Sequence, residues 1–125
     1  MRLTVLLCLT SGLAFAQSWS GVLVNSKCYE DVERNVNPWE SSIDAARDRN
    51  YEIRFCRANG RTQLFTVVQQ DGRSFKLDSA GNMKAAEIVR NGNQKYIFVV
   101  AVTGEKTDNT IKVDSISMLR NVPPR

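Results

Sequence analysis

The sequence contains no histidine. Without imidazole there is no Ser-His-Asp or Cys-His arrangement and no histidine-rich zinc site, so the commonest general base and metal ligand are both excluded. Cysteine and proline are scarce, with three of each. No two cysteines lie close enough in sequence for a Cys-x-x-Cys redox pair. A chain of 125 residues is one domain with a single modest core. Its 42% apolar residues, 24% charged residues and seven glycines fit neither a disordered chain, nor collagen, nor a multispan membrane protein.

What is present begins with a leader. Residues 1–16 read MRLTVLLCLTSGLAFA, with one charge at Arg2, an apolar run over 3–9 and the small-x-small ending Ala14-Phe15-Ala16. This is the pattern of a secretory signal peptide cleaved before Gln17, and it places the mature protein outside the cell or in a periplasm. A membrane anchor is disfavoured, because Thr10, Ser11 and Gly12 interrupt the run well short of the roughly 20 residues a span requires. Cys8 follows a leucine rather than the small residue of a lipoprotein site, and reads as an apolar part of the leader.

Cleavage leaves Cys28 and Cys56 in an oxidising compartment, where they are expected to form one structural disulfide. Closing a loop of that length contributes about 3–4 kcal/mol in the chain-entropy account.

Along the remaining chain, the apolar, β-branched stretch 18–25 predicts a strand, with Gly21 marking a bulge or a close approach. From 27 to 50 the sequence is polar and irregular, and predicts a long loop. Within it Asn37-Pro38-Trp39-Glu40 resembles a helix start. Tyr51, Ile53 and Phe55 alternate with polar residues and predict a strand. A further strand is expected over 62–70. Asp71-Gly72 then reads as a two-residue hairpin turn, and 74–78 returns with Phe75 and Leu77 inward.

Helical spacing of Met83, Ala86 and Val89 or Ile88 predicts a short helix over 79–90, capped by Ser79 and stopped at Asn91-Gly92. The apolar run 95–103 reads as a covered strand, and 104–109 as a polar connector to a last strand over 110–118. There Ile111 and Val113 sit out of phase with Ile116 and Met118, so a bulge near Asp114-Ser115 would bring both pairs inward. Residues 17–120 are thus the domain, and 121–125 a frayed tail.

A short helix between the third and fourth strands of a small closed sheet predicts a mainly β fold, an OB-like barrel of five to six strands with one short helix. An open α+β sheet with one helix has the same linear order. The runs Trp19-Ser20-Gly21-Val22-Leu23-Val24-Asn25-Ser26-Lys27-Cys28, Asn50-Tyr51-Glu52-Ile53-Arg54-Phe55-Cys56, Ser74-Phe75-Lys76-Leu77-Asp78, Val102-Thr103-Gly104 and Thr110-Ile111-Lys112-Val113-Asp114-Ser115-Ile116 point the same way. Together they resemble a group of small secreted bacterial proteins of uncharacterised role with an OB-like β-barrel and one disulfide. The resemblance covers nearly all of the chain after the leader. It implies a fold and an exported location, and brings no catalytic residues.

Chemistry has few places to reside. Asp44, Asp48 and Glu52 lie four apart, as three carboxylates on one helical face would, but Glu52 falls in a predicted strand and Arg47 and Arg49 intervene. A solvated loop is therefore favoured over a calcium site, and no metal site is expected. None of the 13 acidic residues sits in a glycosidase motif. Residues 79–84 hold one glycine and one lysine, a helix cap rather than a phosphate loop.

Nucleic-acid binding would suit an OB-like barrel, yet removing the leader lowers the net charge from +4 to +3. Residues 27–61 carry seven charges of each sign, and the nine cations of 62–125 are scattered. Phe55, Phe65, Phe75, Tyr96 and Phe98 lie on predicted strands as core, whereas Trp39 and Tyr51 mark a ligand face beside the cysteine-clamped loop. The expected function is a non-enzymatic binding module, without cofactor, for an envelope partner or a small ligand. A structural or stress-protective envelope protein is the alternative, followed by a small carboxylate-dependent hydrolase.

Overall fold

Alternation of apolar and polar residues forms most of the sheet, and the sheet closes on itself. The structure, a computed structural model, describes residues 17–33 and 42–123. The leader, the helix start at 37–40 with Trp39, the side chain of Asp44 and the last two residues lie outside them. The elements are β1 (Gln17–Asn25), α1 (Ser26–Glu33), α2 (Ser42–Phe55), β2 (Phe65–Val68), β3 (Ser74–Leu77), α3 (Ser79–Asn91), β4 (Ile97–Thr107) and β5 (Thr110–Val122).

The five strands join in the order β1-β2-β3-β5-β4 and return to β1, so the sheet is a closed ring and the open-sheet arrangement is set aside. All pairs are antiparallel except β3 with β5, which meet only at Lys76–Thr110 and Leu77–Ile111. Closure depends on β1, which pairs with β4 through its first half and with β2 through its second, overlapping at Val22. Gly21 lies at the changeover, where a methyl group would overlap the carbonyl of Val68. The close approach expected of this glycine is present.

Trp19, Leu23, Phe65, Val67, Phe75, Leu77, Phe98, Val100, Val102, Ile111 and Val113 fill the ring interior. Trp19 and Phe75 meet there in a tilted pair at 6.1 Å. Helix α3 closes one end, burying Gly81, Ala85 and Val89. Gly81 is needed because a side chain there would collide with Val113. The helix is capped by Asp78, whose carboxylate accepts from the Gly81 N–H at 2.9 Å, and not by Ser79. Met83, expected on the inner face, is 73% exposed. The helix instead turns its small residues inward, because only they allow it to approach β5.

Among the described residues, three helices stand where one was expected. The largest correction concerns residues 51–55, read as a strand from the alternation of Tyr51, Ile53 and Phe55; they are the last turn of α2. In a helix Tyr51 and Phe55 are one turn apart on one face, and Ile53 lies on another. Only Ile53 is buried. Three alternate positions therefore fit either period.

The Asp71-Gly72 turn takes three residues rather than two. Gln69 N–H donates to the Arg73 carbonyl at 2.8 Å, and Gly72, at φ 93°, supplies the left-handed position. The connector expected over 104–109 is mostly strand, with the chain reversing at Asp108, φ 54°.

The bulge expected near Asp114 is present: Thr103 pairs with Ser115 and Gly104 with Val113, leaving Asp114 over. It turns Ile116 toward the core, while Met118, in phase with it and opposite Val100, is left 46% exposed. Asn121 and Val122, placed by sequence in a frayed tail, pair with Phe98 and Ile97.

Candidate functional site

Helix α1 starts where β1 ends. Asn25 caps it, its side-chain oxygen accepting from the Cys28 N–H at 3.1 Å. Tyr29 and Ile53 are buried with Val24, Val68, Ile97 and Cys56 in a second apolar cluster on the outside of the ring, with Cys28 and Val32 packed against it. Cys28 and Cys56 form the disulfide, with Cα atoms 5.5 Å apart. Asn25 N–H donates to the Cys56 carbonyl at 2.7 Å, so both ends of the clamped segment return to the end of β1.

With Tyr29 held inward, Glu30 lies over the outer face of the β2–β3 hairpin and forms an ion pair with Lys76. Strand alternation determines which residues share that face: Phe65, Val67, Phe75 and Leu77 point into the ring, leaving Thr66, Ser74 and Lys76 outside. The buried hydroxyls of Ser26 and Thr66 are hydrogen-bonded, which fixes the start of α1 against β2. From the opposite side the β4–β5 turn closes in, the Asn109 carbonyl accepting from the Lys76 N–H at 2.8 Å.

These parts enclose a cleft of about 210 Å³ lined by Tyr29, Glu30, Thr66, Ser74, Lys76 and Asn109. The cleft is amphoteric, with one carboxylate, one ammonium and hydroxyls among its walls. Glu30 and Lys76 are both partly exposed, and a surface pair of this kind is worth at most about 1 kcal/mol. A ligand bearing its own charges or hydroxyls replaces it at small cost.

Of the ligand face read from the sequence, Tyr51 stacks on Phe55 at 6.3 Å with an interplanar angle of 13°. Both rings are solvent-facing, at 62% and 65% exposure, so Phe55 is surface and not the core residue expected. Tyr51 belongs to the disulfide-bonded unit that walls the cleft but does not line the cleft itself. Trp39 lies outside the described residues.

The six lining residues were not singled out by sequence reasoning. The available signal was the polar alternate set Thr66, Ser74, Lys76 on a hairpin whose other face is wholly apolar. Asp48 and Glu52 share one helix, and among the described residues no three potential ligands gather as a metal centre.

No known protein family matches this chain, and neither does any curated protein or solved structure.

Proposed function

We propose that the protein is an exported, non-enzymatic binding module built on an OB-like barrel, taking a small polar ligand in the cleft over β2 and β3. The observation that carries this reading is the convergence of α1 and the β4–β5 turn on the outer β2–β3 face. The strand order β1-β2-β3-β5-β4 and the helix between β3 and β4 support the OB-like reading. In OB barrels that same face, bordered by the loops after the first and fourth strands, holds oligosaccharides and oligonucleotides. The cleft is smaller than the roughly 300–1,000 Å³ of sites for drug-sized molecules, so the ligand is of the size of one sugar or amino acid, or one such unit of a longer chain.

A further point supports the reading: a disulfide persists in oxidising compartments, which agrees with residues 1–16 acting as an export leader.

The test is a thermal-shift panel of monosaccharides and amino acids on the disulfide-bonded protein and on Lys76→Ala. A ligand at 100 times its Kd stabilises by about 2.7 kcal/mol, a shift of roughly 10 °C in a domain of this size. The shift should shrink strongly in Lys76→Ala. Flat melting across the panel, or equal shifts in both proteins, overturns the proposal in favour of an envelope protein without a discrete ligand.

A further inference from the structure

A second cleft, of about 490 Å³, lies between the connector that follows the disulfide and helix α3, away from the β2–β3 face. Its walls include Asn59, Arg61, Gln63, Asn82, Met83 and Arg90. The connector has no regular secondary structure, yet it is held firmly. Asn59 Oδ1 accepts from the Arg61 N–H at 2.8 Å and Thr62 Oγ1 accepts from the Asn59 N–H at 3.0 Å. Gln94 Oε1 accepts from the Gly60 N–H at 2.9 Å, across 34 residues of sequence.

Asn82 is spent on the fold in the same way. Its oxygen accepts from the Phe65 N–H at 2.9 Å and its amide donates to the Leu77 carbonyl at 3.3 Å. Three lining side chains are left with unspent hydrogen-bonding capacity among the described residues: Arg61, Gln63 and Arg90. All are donors, and two are permanently cationic. No carboxylate lines the cleft to neutralise them.

Two guanidinium groups beside one cavity repel each other unless an anion lies between them. Their planar forks match the oxygens of phosphate and carboxylate. Arg61 stands on a braced loop and Arg90 on the last turn of a helix, so little backbone freedom remains to be lost on binding. We propose that this cleft binds a small oxyanion, phosphate or carboxylate, clamped between Arg61 and Arg90 with Gln63 as a neutral donor. The site is independent of the β2–β3 cleft.

The experiment is an amide and arginine side-chain NMR titration of the disulfide-bonded protein with inorganic phosphate and, separately, with citrate, both at constant ionic strength. Saturable shifts confined to residues 59–63 and the end of α3 are expected. Arg61→Ala and Arg90→Ala should each weaken binding at least tenfold, and Arg73→Ala, on the β2–β3 turn, should leave it unchanged. Saturation by phosphate alone or by citrate alone identifies which oxyanion the cleft takes. Non-saturating shifts spread over the surface with both anions, or equal loss in Arg73→Ala, overturn the proposal.

Discussion

The carboxylate of Asp78 accepts a hydrogen bond from the backbone N–H of Val113 at 3.2 Å, across 35 residues of sequence. The same oxygen caps α3 through Gly81, so one side chain ties the helix to the strand that completes the ring. Asp78→Ala removes a cap worth about 1 kcal/mol and a charge-assisted bond worth about 1.5–3 kcal/mol. A loss of about 2–4 kcal/mol is expected in urea denaturation, with Asp78→Asn recovering part of it. A loss below 0.5 kcal/mol would show that neither bond matters.

Replacing both Cys28 and Cys56 by serine should destabilise the fold by about 3–4 kcal/mol, the cost expected for releasing a loop of this length. The melting temperature should fall by more than 10 °C. An unchanged melt would mean that the bridge constrains nothing in the unfolded chain.

Gly21→Ala inserts a methyl group against the Val68 carbonyl where β1 leaves one neighbour for the other. Backbone on both sides cannot yield as a flexible side chain would, so a cost of about 1–3 kcal/mol is expected in chemical denaturation. Wild-type stability would show that the ring tolerates a wider gap at its junction.

Tyr51→Ser removes half of an exposed ring pair one helical turn apart. Such pairs contribute about 0.2–0.5 kcal/mol, so the melting temperature should move by no more than about 2–4 °C. The ligand responses of the β2–β3 cleft should be the same as in the parent protein. A lost response would move the ligand face onto α2.

Where a strand faced two distinct environments, the amino acids disclosed it: Phe75 and Leu77 were readable as inward, and the mismatch of Ile111 and Val113 with Ile116 required the extra residue found at Asp114. Helix α1 was not legible. Its inward residues Cys28, Tyr29 and Val32 are few, and their burial comes from a ring surface assembled by Val24, Val68 and Ile97, distant in sequence. Residues 51–55 were misread because a helical pair and a strand alternation coincide over so short a stretch. The β2–β3 cleft was illegible for a related reason. Its polar residues come from four segments, and none has a spacing that marks it before the ring closes.

The apolar side chains divide into an interior set that contains no cysteine and an external set that contains Cys56 with Cys28 packed against it. Within the folded molecule, reduction of the bridge would therefore be felt first on the outer shell, in the seating of α1 and with it the wall that carries Glu30. The molecule joins a chassis whose packing holds no cysteine to a cover that the bridge anchors, and the cover frames the mouth of the β2–β3 cleft.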